Sequence, residues 1–412
     1  MRSSSSVGGR GWAVAMLAAC TLGLAACGSG GGSSGGSTAP AGNSNPPSVT
    51  QNLLPIVVDA GPANGVNVPF VAVTICAPGS GNCQTVDHVI LDTGSTGLRI
   101  MSSVLNPALA QALSQQQSGS SALVECVQFA DGYVWGPVKT ADLRLGGEAV
   151  SSLALQVIGD PGYGTVPSDC QSVGPAENSV QAFGGNGILG VAVFQQDCGA
   201  ACAQAAIPAT YYACTGANCQ AVAVPLAQQV QNPVGLLASD NNGVVIDLPA
   251  VAATGAATAT GSLYLGVGTE ADNALGSAQV FPLDPSTGTL TTVFNGRRYA
   301  GSFVDSGSNA LFFPDGGTTV CSSGFYCPAS PQQFTATNQG YGSNGASGTV
   351  AFSVANADSL LATANTAFSN LAGPSSGIPS FDWGLSFHFG RRVYTAIEGR
   401  STPGGAGPYV AY

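Results

Sequence analysis

The chain contains 412 residues, only 8% of them charged, and its formal net charge is −11. Lys and Arg number 10 against 21 acidic residues, so the surface would repel a phosphate backbone and we expect no nucleic-acid partner. The length suffices for two lobes with separate hydrophobic cores. The 58 glycines and 25 prolines predict many turns between short elements.

The N-terminus has the features of an export signal. An apolar run ends in Leu-Ala-Ala-Cys at Cys27, the pattern of a bacterial lipoprotein, which predicts a signal peptide over residues 1–26 and acylation of Cys27. Cys20 offers the same pattern with a shorter signal, and a plain secretory signal is the alternative. The Gly/Ser/Pro-rich residues 27–50 predict a flexible tether. We therefore expect a lipid-anchored protein of the bacterial cell envelope, and Gly28 favours the outer membrane.

From residue 53 onward the pattern is mainly that of β-strands separated by turns. Strands are predicted at 54–58, 66–75, 122–155 (with a hairpin at 143–147), 234–248 and 261–268. Ala and Leu at helical spacing predict short helices at 106–117, near 220–230 and at 357–372.

Two short stretches carry the candidate chemistry. Asp92 follows the apolar residues 89–91, is turned by Thr-Gly-Ser and is followed by more apolar residues. Asp305 stands in the same setting after residues 302–304 and before Ser-Gly-Ser. A single Asp-Ser/Thr-Gly arises easily by chance in a chain rich in these residues, whereas two copies in the same setting do not. Two such loops bring their carboxylates together only if the chain folds as two similar lobes that face each other.

The two loops, together with an apolar-apolar-Gly strand end at Ile188-Leu189-Gly190, resemble those of the pepsin-like aspartic peptidases, in a bacterial branch of exported lipoproteins. The resemblance covers residues 53–412 in patches. It implies an all-β, bilobal acid-protease fold, in which two similar β-barrel-like lobes with few short helices enclose a cleft. The N-terminal lobe would span residues 51–225 and the C-terminal lobe residues 226–412.

The resemblance also implies the roles of the loop residues. Asp92 and Asp305 would form the catalytic dyad. The hydroxyl residue after each aspartate would brace the opposite loop by reciprocal hydroxyl–backbone hydrogen bonds. The glycine would let backbone N–H groups approach the carboxylate, and the next serine would bond its outer oxygen. These supporting residues are Thr93, Gly94, Ser95, Ser306, Gly307 and Ser308.

Two departures from the family pattern bear on activity. The hairpin that would cover the cleft as a flap carries Phe129 where the family usually has a tyrosine, so the hydroxyl is missing. Tyr133 and Trp135, nearer the hairpin tip, are candidates to replace it in the substrate cleft. The second apolar-apolar-Gly strand end has the carboxylate of Asp382 in place of an aliphatic residue.

The resemblance predicts an aspartic-type endopeptidase. Two carboxylates about 3 Å apart share one proton; the ionised one activates a water and the protonated one polarises the scissile carbonyl. Activity should therefore favour acid pH. The substrate would be an extended polypeptide under the hairpin at 129–139, held by main-chain hydrogen bonds. We expect a monomer that uses no cofactor or metal.

The cysteines predict disulfides. Setting aside the signal peptide and Cys27 leaves ten, an even number in an exported chain. The pairs close enough in sequence to staple single loops are Cys76 with Cys83 and Cys321 with Cys327. The pairing of the others, including the group Cys198, Cys202, Cys214 and Cys219, stays open. A zinc site is the alternative, but neither of the two histidines, His88 and His388, is near a cysteine pair.

Two other functions are compatible with the sequence. A non-catalytic ligand-binding or structural lipoprotein could retain the fold, and Phe129 and Asp382 favour that hypothesis. Residues 373–377 match Gly-x-Ser-x-Gly and are followed by Asp382 and His388, the order of α/β-hydrolases. That elbow needs a strand before it and a helix after it, and here a proline-containing loop follows.

Overall fold

The computed structural model describes residues 51–342, 345–375 and 380–412. The predicted signal peptide over residues 1–26, the acylated Cys27 and the tether lie outside the described residues. Part of the Gly-x-Ser-x-Gly match, residues 376–377, also lies outside them. Within the described ranges, no helix is both long enough and apolar enough to cross a membrane.

The first half of the described chain is built from strands joined by short turns. They are β1 (Leu53–Val58), β2 (Pro69–Cys76), β3 (Cys83–Asp92), β4 (Thr96–Met101), β5 (Ser114–Gln115), β6 (Gln117–Ser118), β7 (Ser121–Gln128), β8 (Tyr133–Leu145), β9 (Glu148–Ile158), β10 (Gly187–Val191), β11 (Tyr211–Thr215) and β12 (Asn218–Ala221). Apolar alternation sets which face is buried: in β1, Leu54, Ile56 and Val58 point into the core.

The second half continues in the same way. Its strands are β13 (Gly243–Leu248), β14 (Ala259–Leu265), β15 (Val280–Pro282), β16 (Leu290–Phe294), β17 (Arg297–Val304), β18 (Leu311–Phe312), β19 (Gln332–Gln339), β20 (Ser347–Val354), β21 (Ala372–Gly373), β22 (Asp382–Trp383), β23 (Arg391–Ala396), β24 (Ser401–Thr402), β25 (Gly405–Ala406) and β26 (Tyr409–Ala411). The predicted all-β fold class is confirmed.

The helices are few and short. The α-helices are α1 (Pro107–Ala112), α2 (Val180–Phe183), α3 (Ala200–Gln204), α4 (Ala357–Leu361) and α5 (Leu385–His388). Single 3-10 turns lie at Ser102–Val104, Pro161–Tyr163, Cys170–Ser172, Leu226–Gln228 and Val234–Leu236.

None of the three predicted helices is correct: two are shorter than predicted and one is absent. The helix predicted at 106–117 ends at Ala112, because residues 114–115 pair with β8 instead. The helix predicted near 220–230 is absent: β12 and a 3-10 turn occupy that stretch, and Pro225 cannot continue an α-helix.

The third predicted helix, at 357–372, ends at Leu361. Beyond it the backbone is engaged by distant parts of the chain. The N–H of Phe368 donates to the side chain of Asn67, and the amide of Asn365 donates to the carbonyl of Thr254.

Each aspartate stands at the end of a strand in the same three-strand arrangement: Asp92 is the last residue of β3, and Asp305 directly follows β17. In the first aspartate motif (β3, β4, β10), β10 is parallel to β3 and antiparallel to β4, with Ile188 opposite Ile90. In the second aspartate motif (β17, β18, β22), β22 is parallel to β17 and antiparallel to β18, with Asp382 opposite Phe303. The fold therefore repeats one arrangement around both aspartates.

The main sheet joins the two predicted lobes. β1 pairs along its whole length with β14, from Leu53 opposite Tyr264 to Val58 opposite Ala259. β1 also pairs with β2 of the first half. The predicted lobe boundary near residue 225 stays a prediction.

Two hydrophobic clusters dominate the interior. The larger is mostly aliphatic and contains residues such as Ile56, Leu91 and Leu189. The other is rich in aromatic side chains and lies around the second aspartate motif, with Phe313, Phe381 and Trp383 at its centre. Each strand that carries an aspartate is therefore anchored in its own packed core.

Five disulfides pair all ten cysteines of the described chain. The predicted pairs Cys76–Cys83 and Cys321–Cys327 are confirmed. The pairing that the sequence left open is Cys126–Cys170, Cys198–Cys202 and Cys214–Cys219. The first of these three links β7, a strand of the predicted flap, to the loop that contains Cys170.

Candidate active site

The two aspartate loops are braced against each other. The backbone N–H of Thr93 donates to Oγ of Ser306 at 3.1 Å, and the N–H of Ser306 donates to Oγ1 of Thr93 at 2.9 Å. The Ser306 hydroxyl in turn donates to the carbonyl of Leu91 at 2.8 Å, and that of Thr93 to the carbonyl of Val304 at 3.4 Å. Both hydroxyl residues are buried. These bonds hold the two loops at a defined separation.

Each carboxylate is bonded within its own loop. Oδ1 of Asp92 accepts from the N–H of Gly94 at 2.7 Å, and its Oδ2 accepts from the hydroxyl of Ser95. Oδ1 of Asp305 accepts from the loop's glycine N–H at 2.7 Å, and its Oδ2 accepts from the hydroxyl of Ser308 at 2.9 Å. Both loops therefore hold their carboxylates by the same pair of donors.

The glycines show how closely the loops approach. A methyl group on Gly94 would lie 2.6 Å from Cγ of Asp305. A methyl group on Gly307 would lie 2.5 Å from Oδ1 of Asp92. Each position thus requires glycine, because any larger residue would displace the carboxylate of the opposite loop.

The structure therefore brings Asp92 and Asp305 together. Burial, followed by the Asp92 and Asp382 carboxylates, raises the pKa of Asp305 well above its usual value. A hydrogen bond that the protonated Asp305 donates to the Asp92 side chain contributes in the same direction. Two close carboxylates, one of which retains its proton, can activate a water and polarise a carbonyl.

The sequence matches a family over most of its length. The family described as "Protein of unknown function (DUF3443)" matches residues 48–412. The chain belongs to this family. No curated protein matches the chain significantly in sequence. Among solved structures, the chain is similar to the aspartic proteinase from Irpex lacteus, with a TM-score of 0.48 and 14% identity over 87% of this chain and 96% of that chain.

In this DUF3443 protein, an apolar cluster lies next to Asp92. Ile90, two residues before the aspartate, packs with Ile188 of β10, and both are buried. Phe129 and Phe183 pack on them, with their ring centroids 5.8 Å apart. Phe129 was predicted to line the substrate cleft. Ile90 and Phe183 were not predicted, although Ile90 stands two residues before Asp92. Because it adjoins the dyad, it is suited to contact an apolar side chain of a ligand.

Phe129 lies at the tip of the β7–β8 hairpin, in the four-residue turn between Gln128 and Tyr133. Its N–H donates to the carbonyl of Gly132 at 2.8 Å. Through the apolar cluster, the hairpin tip reaches the strands of the first aspartate motif. The hairpin tip therefore packs on the first aspartate motif, which is the position that the predicted flap requires.

Tyr133 and Trp135 lie elsewhere. Both are buried in a second cluster with Tyr212 and the Cys126–Cys170 disulfide. Nε1 of Trp135 donates to the carbonyl of Tyr163 at 2.8 Å. Their packing partners are thus on β7, on β11 and in the loop around Cys170, and not on the aspartate loops. The prediction that they stand nearer the hairpin tip than Phe129 is wrong, because both lie on β8 and Phe129 lies in the turn itself.

The segment at 170–178 holds the flap from behind. The N–H of Tyr133 donates to the carbonyl of Pro175 at 3.1 Å, and the N–H of Glu177 donates to the carbonyl of Tyr133 at 2.8 Å. Burial, and then the charge of Asp131, raise the pKa of Glu177 to about 7. Together with the disulfide, these bonds restrict the movement of the hairpin.

Arg99 connects the first aspartate loop to the flap. Its guanidinium donates to the carbonyl of Thr96 at 2.6 Å, to Glu125 at 2.6 Å and to Asp197 at 3.0 Å. Arg99 and Glu125 are each 1% exposed. The sequence did not predict this network, because Arg99 and Glu125 lie on strands whose pairing only the fold reveals.

Among the described residues, Asp382 and His388 do not form the catalytic triad that the Gly-x-Ser-x-Gly hypothesis needs. Nδ1 of His388 lies 3.2 Å from the carbonyl of Gly384, and Nε2 is buried without a hydrogen-bond partner in the described chain. Asp382 instead lies opposite Phe303 in the second aspartate motif, where its charge acts on Asp305.

Proposed function

We propose that this protein is an aspartic-type endopeptidase that hydrolyses peptide bonds with a water activated between Asp92 and Asp305. The observation that carries the proposal is the reciprocal brace between Thr93 and Ser306, which faces each carboxylate toward the glycine of the other loop. A structural protein has no need for two desolvated carboxylates in contact, because their repulsion costs stability.

The chemistry follows from the proton count. The ionised carboxylate removes a proton from the bound water, which attacks the scissile carbonyl. The protonated carboxyl donates to the carbonyl oxygen, and the tetrahedral intermediate collapses when the amine leaves with a proton. The raised pKa of Asp305 agrees with one proton held by the pair at acid pH, and the acid and base roles belong to the dyad jointly.

The substrate proposed is an extended polypeptide with an apolar side chain beside the scissile bond. The apolar cluster of Ile90, Phe129, Phe183 and Ile188 supports this choice, because it adjoins Asp92 and includes the flap tip. Main-chain hydrogen bonds would hold the peptide, and the cluster would select its side chain.

The test is cleavage of an unfolded protein between pH 3 and 6. We expect the wild type to cut and Asp92→Asn and Asp305→Asn each to lose at least 10²-fold in kcat/KM. Circular dichroism must show that both variants are folded. Cleavage that survives in the folded Asp92→Asn variant would refute the proposal.

A non-catalytic ligand-binding protein is the second candidate. Phe129 favours it, since the flap tip has no hydroxyl to donate to a bound peptide. A peptide whose scissile carbonyl is replaced by a hydroxyl-bearing tetrahedral carbon separates the two. A peptidase binds it at least 10²-fold more tightly than the parent peptide, whereas a binding protein shows no such preference.

Export and lipid anchoring at Cys27 remain part of the proposal. Five disulfides in the described chain support an oxidising compartment outside the cytosol. Metabolic labelling with a radioactive fatty acid, compared between the full chain and Cys27→Ser, tests the anchor. Cell fractionation then shows which membrane holds it.

A further inference from the structure

The cleft contains a third carboxyl group that the two-aspartate mechanism does not use. Asp382 occupies in the second aspartate motif the position that Ile188 occupies in the first. Ile188 lies opposite Ile90, two residues before Asp92, and Asp382 lies opposite Phe303, two residues before Asp305. The repeat of the fold thus places a carboxyl group beside Asp305 where the other half has a methyl-rich side chain.

The hydroxyl of Ser308 does not satisfy this carboxyl group. A serine hydroxyl has one proton to donate, and that of Ser308 goes to Oδ2 of Asp305 at 2.9 Å. A buried carboxyl oxygen that receives no hydrogen bond favours the neutral, protonated state of its group.

The surroundings of Asp382 favour the same state. Its Oδ1 is buried and has no hydrogen-bond partner among the described residues. An ionised carboxylate with an unpartnered buried oxygen is far more costly than a neutral carboxyl. The ionisable groups that act on it are those of the dyad, and both are acidic. Its register neighbours on the flanking strands, Phe303 and Phe312, carry no charge.

We propose that Asp382 is a positioning residue that holds a second proton in the catalytic centre and, through its charge when ionised, raises the proton affinity of the dyad. This proposal rests on the proposed peptidase function and extends it. Burial, followed by the nearby Asp92, raises the pKa of Asp382 to about 7, which agrees with a neutral group at acid pH.

The consequence is an asymmetric effect on the pH profile. Activity at high pH is lost when the dyad loses its one proton. As the pH rises, a negative charge forms on Asp382 and opposes that loss. The alkaline limb of the pH profile therefore extends to higher pH. At low pH Asp382 is neutral and exerts no charge effect, so the acid limb is unaffected.

The kinetic test uses Asp382→Asn and Asp382→Ile, the second of which copies Ile188. In both variants we expect the alkaline limb of the kcat/KM profile to move to lower pH by about one unit, while the acid limb stays in place. The matched control is Asp358→Asn, which removes an exposed acid from the same half of the chain. An alkaline limb that stays in place in both folded variants overturns the proposal.

A second measurement is independent of activity. At pH 6, the infrared difference between wild type and Asp382→Asn should contain the C=O stretch of a protonated carboxyl that is absent in the variant. The difference between wild type and Asp358→Asn should lack it. If the wild type proves inactive, the proposed peptidase function is wrong. The spectrum alone then shows whether Asp382 is protonated. A spectrum with no such band overturns the proposal.

Discussion

The side chains of Thr93 and Ser306, 213 residues apart, each accept a hydrogen bond from the other's backbone N–H. Each hydroxyl also donates to a carbonyl across the interface, that of Leu91 or of Val304. Every bond in this set crosses between the two aspartate motifs. The distance between the carboxylates therefore depends on two side chains that take no part in the chemistry.

We expect Thr93→Val, which keeps the shape and removes the hydroxyl, to lower kcat by at least tenfold. It leaves the N–H of Ser306 buried without an acceptor, so the free energy of unfolding should fall by about 1–3 kcal/mol. Thr93→Ser retains the hydroxyl and serves as control. Kinetics with a peptide substrate and urea denaturation check both effects. Equal activity of the Val and Ser variants would show that the brace does not position the dyad.

The buried histidine predicts a loss of stability at acid pH. Burial lowers the pKa of His388 to about 4, against about 6.5 in an unfolded chain. As the pH falls below 6.5, the unfolded chain takes up a proton that the folded chain accepts only near pH 4. Stability should therefore decline across this window by about 3 kcal/mol.

Denaturant titrations at pH 7 and pH 4 measure this effect. His388→Gln cannot take up the proton, so the difference between the two pH values should shrink in that variant. His88→Gln removes the only other histidine, which is partly exposed, and should leave the difference unchanged. If His388→Gln shows the full wild-type decline, other groups cause it.

The ion pair between Arg99 and Glu125 predicts a strongly non-additive mutant cycle. Arg99→Met leaves Glu125 buried without its cation and should destabilise the fold by about 3–5 kcal/mol. Adding Glu125→Leu removes the unpaired buried carboxylate and should restore much of the lost stability. Thermal denaturation of both single variants and the double variant gives the coupling. Additive losses would mean that the pair is not energetically linked.

The disulfide behind the flap predicts a change in flap mobility. Replacing both Cys126 and Cys170 by alanine opens a link across 44 residues and should reduce stability by about 2–4 kcal/mol. Amide hydrogen exchange should rise in β7 and β8 more than in the aspartate motifs. The pair Cys214 and Cys219, which closes a five-residue separation, provides the control double variant. Uniform exchange in both variants would argue against a specific effect on the flap.

The candidate site was predictable because its signals are local. An apolar strand, an aspartate and a hydroxyl-Gly-hydroxyl turn are consecutive in sequence, so the geometry of each loop is set by neighbouring residues. The β8–β9 hairpin, predicted at 143–147, was predictable for the same reason, since Gly146 supplies the positive φ of its turn at 58°. The helices at 357–372 and near 220–230 failed because distant hydrogen bonds, strand pairing and Pro225 outweighed helical spacing.

The sequence by itself determined the strand pattern, the two aspartate turns and two of the five disulfides, because these depend on residues a few positions apart. Only the tertiary structure decided which side chains surround the dyad. Phe129 lies by the aspartate motif and Trp135 behind the flap because pairing and twist set the face each one presents. Asp382 joins the second aspartate motif only because β22 pairs with both β17 and β18. The sequence does not reveal that register, because Asp382 is 77 positions from Asp305.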